Sequence, residues 1–378
     1  MPHTGFATRE GTDSFRESFA GRTAPGHLRE LDGLWMSSIG IGTYLGEADE
    51  ETDAAYRASV AEAVRRGCNV IDAAINYRFQ RSERSVGGAL DDLFGAGEFR
   101  REQIVLTTKG GFIPFDGAPP ETPEAFGRYM EETYFGPGLC TPEDVAANCH
   151  CMTPAYLRHE LEGSLANLGV ETVDVYYVHN PETQLQAVSR EVFRERLRAA
   201  FEEMERAVEA GKIRAYGTAT WNGYRADRDA PDFLSLEEVL AAAEAAGGEG
   251  HHFRAVQLPL NLGMPEAFSK PNQEVGKEGE GEKRVSFLAA AARRGLTVMA
   301  SGSILQGKAA GGLPPVVAEA FPGFDTDAQR AIQFTRSAPG VGVALVGMRQ
   351  RAHVEENLAA AERPPATFDQ FMKLFRPG

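Results

Sequence analysis

Four times along the chain an amphipathic run ends in a glycine and gives way to a short apolar run. These are "AVRRGCNVIDAA", "LANLGVETVDVYYVHN", "VEAGKIRAYGTAT" and "AARRGLTVMASG". Their glycines, Gly67, Gly169, Gly211 and Gly295, stand where a helix ends on a left-handed residue. The runs ahead of them keep helical period. Leu157, Leu161, Leu165 and Leu168 make one stripe, and Phe193, Leu197, Phe201 and Met204 make another. Thr153-Pro154 supplies an N-cap and an N1 proline for the first of these helices.

The apolar runs predict strands near residues 69–73, 104–108, 173–178, 213–218, 255–260, 296–300 and 341–346, with Leu34–Gly42 placed before them. Strands apolar on both faces that alternate with helices make a parallel sheet covered by helices. Eight such units predict an α/β fold, a single (β/α)8 TIM barrel spanning 1–378. No G-x-G-x-x-G turn follows an early strand, which argues against a doubly wound dinucleotide-binding sheet. Outside the repeat lie a polar N-terminal extension (1–33), a long insertion (112–150) and a C-terminal tail (361–378). The insertion follows a strand, so it belongs on the C-terminal face, where barrel active sites are built. A loop of that length is usually functional or disordered. The acidic, glycine-rich stretch 271–283 is expected on the same face, as a mobile loop.

Composition is that of an ordinary globular protein, 42% apolar and 25% charged. A net charge of −15 excludes nucleic acid as the main partner, because a phosphate backbone calls for a basic surface. No apolar run approaches the ~18 residues of a membrane span. The opening "MPHTGFATREGTDSF" lacks the apolar core of a secretion signal, so the expected location is cytoplasmic. Cys149-His150-Cys151, with Cys140, lacks the paired C-x-x-C form of zinc sites, and no metal is expected. The pattern leaves oligomeric state unknown.

Polar residues at the C-terminal ends of barrel strands are the first candidates for chemistry. Asp72 ends the second strand and Tyr77 follows it; Lys109 ends the third and His179 the fourth. Each alone has an ordinary reading: a loop-capping acid, a snorkelling lysine, a structural histidine. At the ends of three consecutive strands they form a constellation.

Here the sequence resembles the aldo-keto reductase superfamily. The resemblance rests on "GIGT" (40–43), "IDAAINY" (71–77), "SERSVGGAL" (82–90), "LTTKGG" (106–111) and "LRHELEGSLANLGVETVDVYYVHNPE" (157–182). It continues through "KIRAYGTAT" (212–220), "VQLPLNL" (256–262) and "GMRQRAHVEENL" (347–358). It implies that Asp72, Tyr77, Lys109 and His179 are a catalytic tetrad for carbonyl reduction. Tyrosine has a pKa near ~10, and an adjacent ammonium favours its phenolate, so Lys109, balanced by Asp72, is expected to lower that value. His179 would hydrogen-bond the carbonyl oxygen. The hydride must come from a nicotinamide.

The resemblance also implies cofactor contacts. Asn180, Thr220 and Gln257 match the positions that hold the nicotinamide amide. Ser301, Ser303, Leu305 and Gly307 belong to the pyrophosphate loop. Gly347, Arg349, Gln350, Glu356 and Asn357 match the adenosine end. Arg349 sits where the family places a 2′-phosphate contact, which favours NADP(H) over NAD(H). The chain departs from the family's usual residues at Ala219-Thr220, at Gly302-Ser303-Ile304 and at Val346. Arg78 replaces a common glycine after Tyr77. As a substrate residue beside Phe112 and Trp221 it would favour an anionic or polyhydroxylated substrate, and as a partner of Glu83 or Glu182 it would not. Phe115, Tyr134 and Phe135 are further candidates for an apolar wall.

The expected partner is thus a small-molecule carbonyl or alcohol. The competing readings are a cofactor-binding regulatory or sensor subunit of the same fold with little turnover, and an unrelated metal-dependent barrel enzyme. The second would want carboxylates and histidines, rather than lysine and tyrosine, at the strand ends.

Overall fold

In the computed structural model, which describes residues 1–275 and 283–375, the N-terminal segment closes one end of a barrel. Thr8 caps α1 (Arg9–Ser18) by accepting from the Gly11 N–H. A hairpin follows, β1 (Leu28–Leu31) antiparallel to β2 (Leu34–Ser37). Its turn residues Asp32 and Gly33 have φ of 48° and 74°, the twist that two-residue hairpins favour. Leu34–Gly42, expected as one strand, is therefore two, because the chain breaks at Ser38 before entering β3 (Ile39–Gly42).

The expected alternation then unfolds: α2 (Glu50–Arg65), β4 (Val70–Asp72), α3 (Arg81–Gly95), β5 (Val105–Gly110), α4 (Pro123–Met130), α5 (Pro154–Leu168) and β6 (Val173–His179). Next come α6 (Arg190–Glu209), β7 (Ile213–Ala219), α7 (Leu236–Gly247), β8 (Phe253–Pro259) and the short α8 (Glu266–Ser269). A two-stranded ribbon joins β9 (Gln273–Val275) to β10 (Lys283–Val285). Of the stretch expected to be mobile, residues 276–282 lie outside the described residues. The chain ends through α9 (Phe287–Arg293), β11 (Thr297–Ser301), α10 (Pro315–Ala320), α11 (Asp327–Ser337), β12 (Val343–Gly347), α12 (Arg351–Leu358) and α13 (Phe368–Met372).

The barrel strands close in the order β11-β12-β3-β4-β5-β6-β7-β8, every neighbouring pair parallel. Alternation along each strand explains where chemistry can sit. Ile71, Leu106, Tyr176 and Val178 belong to the large cluster beneath the surrounding helices. Val70, Val105, Met299, Val343 and Leu345 instead meet Leu34, Met36 and Ala7 in a separate cluster, capped by the hairpin. One or two positions further along the inward faces stand Asp72, Thr107, Lys109, His179, Gln257 and Ser301. The inner face is apolar near the hairpin and polar at the strand ends.

Buried polar groups tie the N-terminal segment down. Asp174 accepts from the Ala7 N–H (2.7 Å), the Leu106 N–H (2.7 Å) and the Arg101 guanidinium (2.8 Å). Asn69 accepts from the Ser37 N–H and donates to the Trp35 carbonyl.

The insertion is ordered. Its two ends zip together, with Ile113 N–H donating to the Cys149 carbonyl and Cys151 N–H to the Gly111 carbonyl. Between them, Thr122 caps α4, which runs into a widened turn over Glu131–Phe135. Among the described residues no helix is long and apolar enough to cross a membrane.

Candidate active site

At the end of β4, Asp72 collects three side chains on its carboxylate. Thr107 donates to Oδ1 at 2.8 Å, the Gln257 amide to Oδ1 at 2.8 Å, and the Lys109 ammonium to both oxygens at 2.9 and 2.8 Å. Lys109 gives its remaining hydrogen to the Ala73 carbonyl at 2.6 Å. It is fully buried, and burial pulls its pKa down while Asp72 and Glu83 oppose that. Its Nζ lies 4.8 Å from the centre of the Tyr77 ring.

The four expected catalytic residues are brought together. The Tyr77 and His179 rings meet in a T-shape with centroids 5.9 Å apart, and both line a cavity of about 490 Å³ with Asp72. Lys109 lies beneath it. The Tyr77 hydroxyl has no hydrogen-bond partner among the described residues. Burial first, then the charge of Asp72 and the neighbouring Tyr44, hold its pKa well above the ordinary value. The expected net lowering is not found, because burial of the phenol beside Asp72 outweighs what a nearby ammonium can contribute. Tyr77 is a held proton.

His179 is kept neutral, its pKa driven far down by burial and by the charge of Lys109. Its Nδ1 is buried, with no partner among the described residues. A buried N–H without an acceptor is rarer than an unfilled lone pair, so the ring proton belongs on Nε2. Two donors then face one cavity.

Most of the expected cofactor residues line this cavity or the next. Asn180, Thr220, Gln257, Ser301, Ser303 and Gly347 line the first. A second cavity, about 450 Å³, is lined by Gly307, Gly347, Arg349, Gln350, Glu356 and Asn357. The two share Leu45, Ile304, Gln306 and Gly347. Thr220 Oγ1 is buried and has no partner among the described residues. The Ser303 hydroxyl donates its hydrogen to the Leu345 carbonyl (2.9 Å), so that hydrogen is not offered to a phosphate oxygen. Arg349 holds no ion pair among the described residues.

Two expected site residues face elsewhere. Leu305 has φ 49° and lines neither cavity; its side chain turns towards Gly263, and Ile304 and Gln306 take its place. Arg78 does not border the cavity and pairs with neither Glu83 nor Glu182. It starts a left-handed run, Arg78-Phe79-Gln80, with φ of 47°, 56° and 70°. This turns its side chain, 2% exposed, onto Asp53 (2.7 Å) and Ser85 (3.1 Å), with the Tyr56 ring 4.8 Å below. Tyr56 in turn donates to the Leu45 carbonyl on the cavity rim.

Phe112 and Trp221 do line the first cavity, whereas Phe115, Tyr134 and Phe135 pack within or against the insertion. Sequence reasoning missed Tyr44 and Leu45, which line the rim and are 54% and 40% exposed. It also missed Glu182, whose Oε1 accepts the Trp221, Asn222 and Gly223 N–H groups and so shapes the loop carrying Trp221. Among the described residues no group of three or more His, Cys, Asp or Glu side chains is placed to hold a metal.

The family model described as "Aldo/keto reductase family" matches residues 38–228. The chain is 27% identical over 202 residues to a 6-dehydroglucose reductase of Novosphingobium aromaticivorans, covering 52% of each. It is 26% identical over 202 residues to an NADH-specific methylglyoxal reductase of Escherichia coli, covering 49% of each. The chain thus spans about half the length of the curated relatives it matches. An aldo/keto reductase from Klebsiella pneumoniae solved with NADP and acetate superposes with a TM-score of 0.61 at 19% identity, covering 92% of this chain and 94% of that one.

Proposed function

Because the chain belongs to the aldo/keto reductase family, we propose that it is a nicotinamide-dependent carbonyl reductase in which Tyr77 donates the proton and NADP(H) is preferred. One observation carries this reading: the unpartnered Tyr77 hydroxyl and His179 ring face one cavity, backed by a buried lysine–aspartate pair.

The residues present fit the cofactor. Asn180, Thr220 and the oxygen of Gln257, whose nitrogen is spent on Asp72, offer unpartnered polar groups to a carboxamide at one end. At the other, Arg349 offers a fork donor to a phosphate. A bound nicotinamide supplies the hydride. The chain's own residues supply the rest. Tyr77 gives its proton to the carbonyl oxygen as charge develops there, and His179 donates a hydrogen bond to the same atom. Once that proton has left, the ammonium 4.8 Å from the Tyr77 ring stabilises the phenolate, with Asp72 keeping Lys109 charged and in place.

The substrate in this reading is uncharged. Among the side chains lining the first cavity only Asp72 is charged, and Lys109 neutralises it. Tyr44, Phe112 and Trp221 offer ring faces to an apolar or planar body. Loss of NADPH absorbance with a panel of aldehydes and ketones tests the proposal. Turnover of neutral carbonyls above their carboxylate-bearing analogues supports it, and absence of both turnover and NADPH binding refutes it.

A further inference from the structure

Among the described residues the His179 side chain has no hydrogen-bonding anchor, since Nδ1 is unpartnered and Nε2 faces the cavity. Its backbone is anchored instead. β6 ends at His179, and Asn180 turns left-handed (φ 45°), which takes the His179 carbonyl out of the ladder. That carbonyl lies 2.7 Å from Nε2 of His150, a fully buried residue at the end of the insertion. Gly111 passes so close that a Cβ there would lie 2.6 Å from the His179 carbonyl oxygen and 2.9 Å from His150 Nε2.

The direction of this hydrogen bond follows from the chain of partners behind it. Arg196 Nη1 lies 2.6 Å from Gln184 Oε1, and a guanidinium only donates, so the Gln184 oxygen must face it. The Gln184 amide nitrogen then faces His150 Nδ1 at 2.9 Å and donates to it. Nδ1 accepts, so the proton of His150 is on Nε2 and is given to the His179 carbonyl. Burial drives the pKa of His150 down to about 4, which keeps it in this neutral form. Arg196 is itself held by the carbonyls of Glu143 and Asp144 in the insertion. Phe112 completes the packing, edge-on to His150 (5.4 Å between centroids) and to His179 (5.0 Å).

We propose that His150, fixed as its Nε2–H tautomer by Gln184 and Arg196, is a positioning residue that sets the His179 ring against Tyr77. The insertion thereby serves the reaction from behind the strand end. This rests on the carbonyl-reductase reading, in which His179 touches the reacting oxygen.

The test combines kinetics with a tautomer measurement. His150→Leu removes the donor, and His150→Gln keeps one at similar reach. Since displacement of a reacting group by about 1 Å costs up to ~100-fold, His150→Leu should lower kcat at least tenfold. The NADPH dissociation constant should stay within about twofold, and His150→Gln should recover most of the loss. Should the leucine variant fail to fold, Arg196→Met leaves the packing of His150 intact while removing one of the two bonds that orient the Gln184 amide, the other being its N–H donated to the His150 carbonyl at 3.0 Å. It should lower kcat and raise the Nδ1–H population of His150. The ring-nitrogen correlation spectrum of the wild-type protein should show Nε2 protonated and Nδ1 bare, independently of any activity. An Nδ1–H tautomer in the wild type overturns the proposal, as do unchanged kcat in His150→Leu or equal losses in the leucine and glutamine variants. The tautomer stands or falls apart from turnover, so failure of the reductase reading is distinguishable from failure of this one.

Discussion

Arg78→Met separates an anchor from a substrate contact. The guanidinium makes a buried, charge-assisted hydrogen bond to Asp53, a second to Ser85 and a cation–π contact with Tyr56. A hydrogen bond to a charged group contributes about 1.5–3 kcal/mol, and an enclosed cation–π contact about 1 kcal/mol. Methionine keeps most of the apolar stem, and Asp53 retains Arg81 at 2.6 Å, so no carboxylate is orphaned. The net loss should be about 2–4 kcal/mol. At roughly 2 °C per kcal/mol for a chain of this size, melting should fall by about 4–8 °C in a scan at fixed rate. Arg78 adjoins Tyr77, so kcat should fall several-fold. The ratio of kcat/KM between a neutral aldehyde and its carboxylate-bearing analogue should not move. An unchanged melting temperature with a selective rise in KM for the anionic analogue would refute the reasoning and return Arg78 to the substrate pocket.

Asp174→Asn strips the Arg101 guanidinium of its carboxylate and sets an amide hydrogen against existing donors, costing about 3–5 kcal/mol; a denaturation midpoint within error of wild type contradicts this. Glu160 is buried, its Oε1 without a partner among the described residues, and burial raises its pKa from 4.5 to about 8. A folded value above the unfolded one means stability intact below pH 4.5 and lost as pH rises towards 8. Glu160→Gln should therefore be more stable than wild type by on the order of 3 kcal/mol at pH 7, with the difference shrinking to nothing near pH 4.5. Equal midpoints at both pH values would sink that account. Arg349→Ala should weaken NADPH binding at least tenfold and NADH binding much less, read by fluorescence titration; equal losses remove the 2′-phosphate assignment.

The barrel was legible because its strands are apolar outward and change character inward as they run. Asp72, Lys109 and His179 occupy inward positions at strand ends, so their polarity marks the open face even in one sequence. The four helix-ending glycines have φ between 66° and 92°, as their position implied. The hairpin was legible but overlooked: Asp32-Gly33 between short apolar runs is a type I′ signal. The direction of Arg78 was not legible. It depends on Asp53, 25 residues away on α2, and on a left-handed run that no local preference demands. The Tyr77 pKa was misjudged for a related reason. A sequence shows that an ammonium is near, but not how far burial beside Asp72 outweighs it. His150 drew notice only as part of a cysteine-flanked triplet, and its hydrogen bond to the His179 carbonyl needed the fold.

Tyr77→Phe tests the central claim most directly, since it removes one hydroxyl that has no partner among the described residues and leaves the ring in place. With a neutral aldehyde and NADPH, kcat should fall by at least about 100-fold while the NADPH dissociation constant stays within about twofold. Wild-type turnover in that variant would contradict the assignment of Tyr77 as the proton donor.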